Sequence, residues 1–466
     1  MDIQEAQLDN GMKVVVVPDH RSPVVTHSVW YRVGAVDEPT GATGMSHMLE
    51  HLMFKGTQKY PAGQMDKIIQ RNGGQQNAFT SYEMTAYHQT ISADKLPLMM
   101  EIEADRMEGL VLTDKVFLPE RQVVSEERKW RIESQPAPGF YERLRRAHFQ
   151  VSPFGREVIG SRADIEAYDL PRILNWYTRH YAPNNATLLV VGDVDMATVL
   201  PLAKQYYGGE KKRDVPTRKL ETEPLRKAEV RLVEVNKDVQ VPVYARMYRA
   251  PSTFVGMGDT PGNLHDAMAL WALGEILGGS DTARLYQQLV VKQGLADGAN
   301  ANYDPTGGSE SSLDVSVSPR TGVTLDKIDA AVLAVVADVL KSGVTEAELK
   351  RAKTNLMADE IYSLDNADNI MYRLGSWLMS GGTVKNFDAW QPVLKAITVA
   401  DVNAAAHKYL VRSESTMGVL VGNEKLLGTL KPEAPAIVQP MAEAAKAAAK
   451  QAKVPPSPEM LKAFTH

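Results

Sequence analysis

Cysteine is absent from all 466 residues, which excludes disulfides, Cys nucleophiles and thiolate metal sites and leaves His, Asp and Glu as the strong metal ligands. No apolar run reaches the roughly 18 residues that a membrane-spanning helix needs, so no membrane partner is expected. Long blocks of Lys or Arg are missing too, and the formal net charge is -5. Nothing in the charge pattern marks a nucleic-acid partner. The start of the chain lacks a basic region followed by an apolar stretch; residues 1–7 are polar and acidic. That points to the cytoplasm, with the periplasm as the location if a leader was removed.

What is present describes a globular protein of more than one domain. Hydrophobic residues make up 44% and charged residues 23%, enough to bury a substantial core in each half. Residues 13–17 and 24–33 are rich in β-branched and aromatic side chains with turn residues between them, and read as a hairpin. Gly41 and Gly44 break the chain, and apolar residues then recur at helical spacing from 45 to 54. Further helical patterns cover 63–70, 95–109 and 118–134, while 76–91 and 186–191 read as strands.

Between 208 and 226 the composition turns to Gly, Lys, Arg, Glu and Pro, as in a linker. Beyond it the order strand, strand, Gly/Pro break, helix repeats over 230–235, 241–248, 251–262 and 264–277, which suggests an internal duplication of roughly 200 residues per copy. The expected division is 1–215, a linker at 216–228, a second copy at 229–430 and an Ala/Lys/Pro-rich tail at 431–466, partly helical or disordered.

His47, Glu50 and His51 form an HxxEH pattern on the helix over 45–54. Residues four apart leave one face of a helix, so both imidazoles can reach one ion, and Glu50 shares that face. Neutral imidazoles bind zinc well, and a carboxylate beside a zinc-bound water can take its proton and return it to a leaving amine. A third ligand is needed, and the helix over 118–134 offers Glu120, Glu126, Glu127 and Glu133. Glu120 and Glu127 are seven apart and share a face, whereas Glu126 is turned away by about 100°. The second copy has no HxxEH, so one zinc ion per chain is expected.

HxxEH is the signature of the inverzincins. With Tyr31-Arg32-Val33-Gly34, Asp37-Glu38, Gly44, the run from His47 to Thr57, Asn77-Ala78-Phe79-Thr80, Glu120-Arg121 and His180 to Asn184, the chain resembles the pitrilysin family. The resemblance is to the branch that includes the mitochondrial processing peptidase and bacterial relatives, and it spans nearly the whole chain before the tail. It implies an α+β fold of two homologous α/β domains, each with a mainly antiparallel sheet packed by helices. It also implies a zinc-dependent endopeptidase with a Glu ligand about 75 residues beyond the second His. Glu127, 76 residues after His51, fits that place, and Glu120 becomes a carboxylate that orients a ligand or the water. Family members bind peptide substrate as a strand added to a sheet edge, and Asn77 and Ala78 occupy the matching positions.

The chain departs from the pattern in one place. Active members commonly carry an Arg and a Tyr in the second domain to hold the substrate carbonyl, and here Val290 and Asp297 stand at those positions. Neither donates a hydrogen bond to a developing oxyanion, a loss that typically costs about 100-fold or more in rate. The expectation is a heterodimer in which a homologous partner brings the missing pair. The alternative is a non-catalytic binding or assembly subunit of a larger complex.

Overall fold

The structure, a computed structural model, describes residues 1–254, 263–308 and 310–432. The tail from 433 onward and most of the Gly/Pro break at 251–262 lie outside the described residues. Eleven strands occur among those described: β1 Gln4–Gln7, β2 Lys13–Pro18, β3 Val24–Tyr31, β4 Gln75–Thr80, β5 Thr85–Ser92, β6 Ala186–Gly192, β7 Val230–Val235, β8 Val243–Pro251, β9 Ala296–Tyr303, β10 Glu310–Pro319 and β11 Ser415–Val421. They form two sheets, ordered β1-β2-β6-β3-β5-β4 and β7-β11-β8-β10-β9.

Apart from β1, the second order repeats the first strand for strand. In each, the last strand of the copy inserts beside the first, parallel to it, and all other pairings are antiparallel. Helices pack on both sheets, giving the α+β fold of two similar halves that the resemblance implies. No helix among the described residues is long and apolar enough to cross a membrane.

The hairpin expected from residues 13–33 does not form. β6 lies between β2 and β3, parallel to the former and antiparallel to the latter. All seven residues of β6 are buried, so it needs neighbours on both edges and cover on both faces, and that demand outweighs the local turn. Strand β1 escaped the sequence reading because its four residues, QEAQ, alternate between exposed and half-buried positions without an apolar member larger than Ala.

The two halves exchange helices. Val15, Val17, Trp30, Leu189 and Val191 on one face of the first sheet are covered by Ile370, Met371 and Leu374 from the helix Ala367–Met379 of the second half. Reciprocally, Phe140 and Leu144 of the helix Pro136–His148, from the first half, cover Leu232, Ala245, Met247 and Leu420 of the second sheet. Glycine permits both approaches. A methyl group at Gly375 would overlap the Trp30 indole, and one at Gly418 of β11 would meet Leu144 and Phe140. Polar contacts close the exchange: Asp368 accepts from the Thr26 and Thr90 hydroxyls, and Tyr372 bonds His88.

Candidate metal centre

The histidines stand on the helix Met45–Leu52. Met45, Met48, Leu49 and Leu52 face the first core, which turns His47, Glu50 and His51 toward the opposite side. The helix start is fixed from both directions. Gly44 has φ 89°, a left-handed conformation with no room for a Cβ against the Ile159 carbonyl. The buried Glu38 carboxylate accepts from the Gly44 and Ser46 amides at 2.5 and 2.7 Å, satisfying donors that the first turn of a helix leaves orphaned. Burial pushes the Glu38 carboxyl up to about 8, against the pull of those amides.

The helix Asp114–Arg128 runs alongside and delivers two carboxylates. Glu127 Oε2 lies 3.2 Å from His51 Nε2 and 3.8 Å from His47 Nε2, and the donor atoms of these three residues all fall within 4.8 Å of one another. Glu120 Oε1 sits 2.9 Å from His51 Nδ1, and its other oxygen 2.5 Å from Lys55 Nζ. Arg131 Nη1 holds the second Glu127 oxygen at 2.9 Å. The remaining acids of this segment turn elsewhere: Glu126 makes an exposed pair with Lys129, and Glu133 binds Arg162.

Glu50 stays outside the three-residue cluster. Its Oε2 accepts from the Thr80 hydroxyl of β4 at 2.5 Å. Asn77 and Ala78 lie on the same strand, at the edge of the first sheet, where β5 is its one partner among the described residues. Ala78 and Thr80 share the face toward the metal helix, while Phe79 turns to Trp30 and Tyr372 on the other. Val290 packs partly buried against the second core. Asp297 is exposed on β9, paired with Arg320 at 3.0 Å.

The electrostatics separate the two histidines. Burial, then the neighbouring His51, holds His47 down to about 4, so its imidazole is neutral at physiological pH. Burial also works to lower His51, but the hydrogen bonds and charges of Glu120 and Glu127 outweigh it and raise the group to about 9. Glu50 is raised by burial, with the Thr80 hydroxyl opposing.

A zinc ion fits this donor set. Two imidazole nitrogens and one carboxylate are ligands that zinc accepts in open, reactive sites, at roughly 2.0–2.2 Å. Four donors at that distance in a tetrahedron stand about 3.3 Å apart, close to the 3.2 and 3.8 Å separating Glu127 from the two Nε2 atoms. Glu127 Oε2 is buried and faces both imidazole Nε2 atoms, a place that a cation shared by the three donors would fill.

Thr80, Lys55, Arg131 and Glu38 were not assigned roles from sequence. Arg131 stands four residues after Glu127, the group it holds, a helical spacing that could have flagged it, whereas Lys55 pairs with Glu120 of another helix. Thr80 and Glu38 arrive through tertiary structure, and no spacing announces them.

A two-copy α+β chain with His, His and Glu gathered on two helices of the first copy defines a class of metal-dependent peptidases. The family model for the insulinase family of M16 peptidases matches residues 13–162, and that described as the peptidase M16 inactive domain matches residues 168–356. The chain is 32% identical to the zinc protease PqqE of Helicobacter pylori over 89% of its own length and 91% of that protein. It therefore belongs to the M16 peptidase family. A crystal structure of a protease from Helicobacter pylori superposes with a TM-score of 0.82 at 31% identity, covering 90% of this chain and 99% of that one. The first half of the periplasmic protease PqqL from Escherichia coli shares the fold, with a TM-score of 0.78 at 20% identity and 98% of both chains covered.

Proposed function

We propose that this chain is a zinc-dependent endopeptidase acting on extended peptide segments, with His47, His51 and Glu127 holding one zinc ion and Glu50 serving as general base. The observation that carries the reading is the position of Glu50. Its carboxylate is held by Thr80 at the flank of a three-donor cluster without being consumed by it, and burial raises its proton affinity above that of an ordinary carboxylate, the direction a general base needs. When bound, zinc supplies a nucleophile by lowering the pKa of a coordinated water to about 7. Glu50 takes the proton of the attacking water and delivers it to the departing amine. Glu120 fixes the tautomer and orientation of His51, with Lys55 holding Glu120 in turn.

Peptide adds as a strand along the free edge of β4, its backbone bonding to the segment around Asn77 and Ala78. The oxyanion donors are absent from positions 290 and 297. Val290 packs partly buried against the second core and Asp297 forms an exposed pair with Arg320, so on this reading a homologous partner chain supplies an Arg and a Tyr. The test compares wild type, Glu50→Gln and His51→Ala, each purified alone and with the co-purifying partner. Zinc bound by wild type and Glu50→Gln, with hydrolysis confined to wild type plus partner, is the expected result. A wild-type chain that takes up no zinc would instead identify an assembly subunit.

A further inference from the structure

We infer that a cavity in the second half is a binding site for a small organic cation with an apolar body, such as an amine on an aryl or alkyl stem. The site is separate from the metal centre. Its volume is about 490 Å³, within the roughly 300–1,000 Å³ of pockets that enclose small ligands. Three segments meet there: the helix Leu264–Gly278, the exchanged helix Ala367–Met379 and the turn between β9 and β10. Trp271, Tyr303, Tyr372, Trp377, Phe387 and Trp390 supply most of the wall. Trp271 and Trp390 stand edge to face with ring centroids 5.7 Å apart.

The polar tips of these rings are largely spent on protein partners. Trp377 Nε1 donates to the Thr383 carbonyl and Asn386 Oδ1, the Tyr303 hydroxyl donates to the Pro251 carbonyl, and the Tyr372 hydroxyl bonds His88. What remains for an occupant is hydrocarbon and π surface, which attracts a cation pressed against it. Charge favours the same sign. Arg373 is spent on Glu360, its Nη1 and Nη2 each meeting one carboxylate oxygen. That leaves the exposed Asp304, whose Oδ1 is fixed by the Thr306 amide and hydroxyl at 2.8 and 2.7 Å and which forms no ion pair among the described residues. On the buried wall, Thr253 is 0% exposed and its Oγ1 has no hydrogen-bond partner, a cost that a polar group on the occupant would remove.

Tyr372 joins the site to the first half. Its ring lies 5.1 Å from that of Phe79 on β4, on the sheet face turned away from the metal helix. An occupant held by Asp304 and the indoles therefore braces elements of both halves, and binding to the folded state alone raises the unfolding midpoint.

Three of the six tryptophans line the cavity, so intrinsic emission reports on its occupancy. Phenethylamine, 2-phenylethanol and 3-phenylpropionate, which share a stem and differ in charge, are titrated onto the full chain in the assembly in which it is purified. Treatment with a chelator beforehand keeps amine bound at the metal centre out of the measurement. Expected is saturable binding of the amine, about tenfold tighter than the alcohol, no binding of the acid, and a higher unfolding midpoint with the amine alone. Asp304→Asn should bring the amine to the affinity of the alcohol, and Trp271→Leu should weaken both by several-fold. No saturable change with the amine, equal affinity for amine and alcohol, or an amine preference that survives Asp304→Asn would overturn the assignment. Asp304 is exposed, so that variant should fold as wild type, and its unfolding midpoint without ligand checks this.

Discussion

Replacing Glu120 by Gln should change zinc affinity by an amount that depends on pH. The substitution keeps the shape and one acceptor oxygen but removes the charge that stands 2.9 Å from His51 Nδ1. Two effects then oppose each other. Loss of the carboxylate weakens orientation and ligand basicity, which typically costs about 10- to 100-fold in metal affinity. The same loss lowers the proton affinity of His51, held at about 9 against the pull of burial by Glu120 and Glu127. In the wild type, zinc must displace that proton, at a cost near 2.7 kcal/mol at pH 7 from about 1.36 kcal/mol per unit; the variant is relieved of part of it.

Between pH 6.5 and 9 the wild-type affinity should therefore rise about tenfold per pH unit on account of His51. His47, neutral above about 4, adds no slope. The variant should climb less steeply, so that its deficit is greatest near pH 9 and narrows toward pH 6.5. Competition with a fluorescent chelator at pH 6.5, 7.5 and 8.5 measures both lines. Parallel lines, with one constant deficit, would show that Glu120 does not set the protonation of His51 and would refute the reasoning.

The same group makes a stability prediction. Since the folded value for His51 lies above the ordinary 6.5, its stabilisation is fully present below pH 6.5 and fades as pH rises through 9. Chelator-treated protein should thus lose thermal stability over that window relative to zinc-loaded protein, as differential scanning at both ends would show. Glu50→Gln should retain zinc by elemental analysis while peptide hydrolysis drops by roughly two to four orders of magnitude. Gly375→Ala should destabilise the chain by about 1–3 kcal/mol in denaturant unfolding through overlap with Trp30. Arg131→Ala, which frees one oxygen of Glu127 from a side chain that is itself 57% exposed, should lower zinc affinity by only a few-fold.

The parts of this site legible in the sequence are those that helical spacing encodes. His47 and His51 announce a shared face, and Glu120 and Glu127 another. Which acid meets the histidines follows from resemblance and not from spacing, because Glu127 stands 76 positions beyond His51 with four strands and helices between. Thr80 and Glu38 were invisible as partners, since a hydrogen bond between distant segments leaves no periodicity. The hairpin failed for a related reason. A turn signal reports where the chain reverses, and says nothing of a third strand that enters between its arms. The pattern of the helix Ala367–Met379 shows an apolar face but cannot say that the sheet it covers belongs to the other half.

That exchange of helices bears on how the chain is made. The last strand of the first sheet ends at Gly192, and the helix covering its outer face begins at Ala367, 175 residues later. At synthesis rates of about 5–20 residues per second, Val15, Val17, Trp30, Leu189 and Val191 wait on the order of ten to thirty seconds for their cover. The first half therefore leaves the ribosome with His47, His51 and Glu127 all synthesised and one face of its sheet bare. During that interval the nascent chain is a natural client for chaperones, and it is then most prone to aggregate.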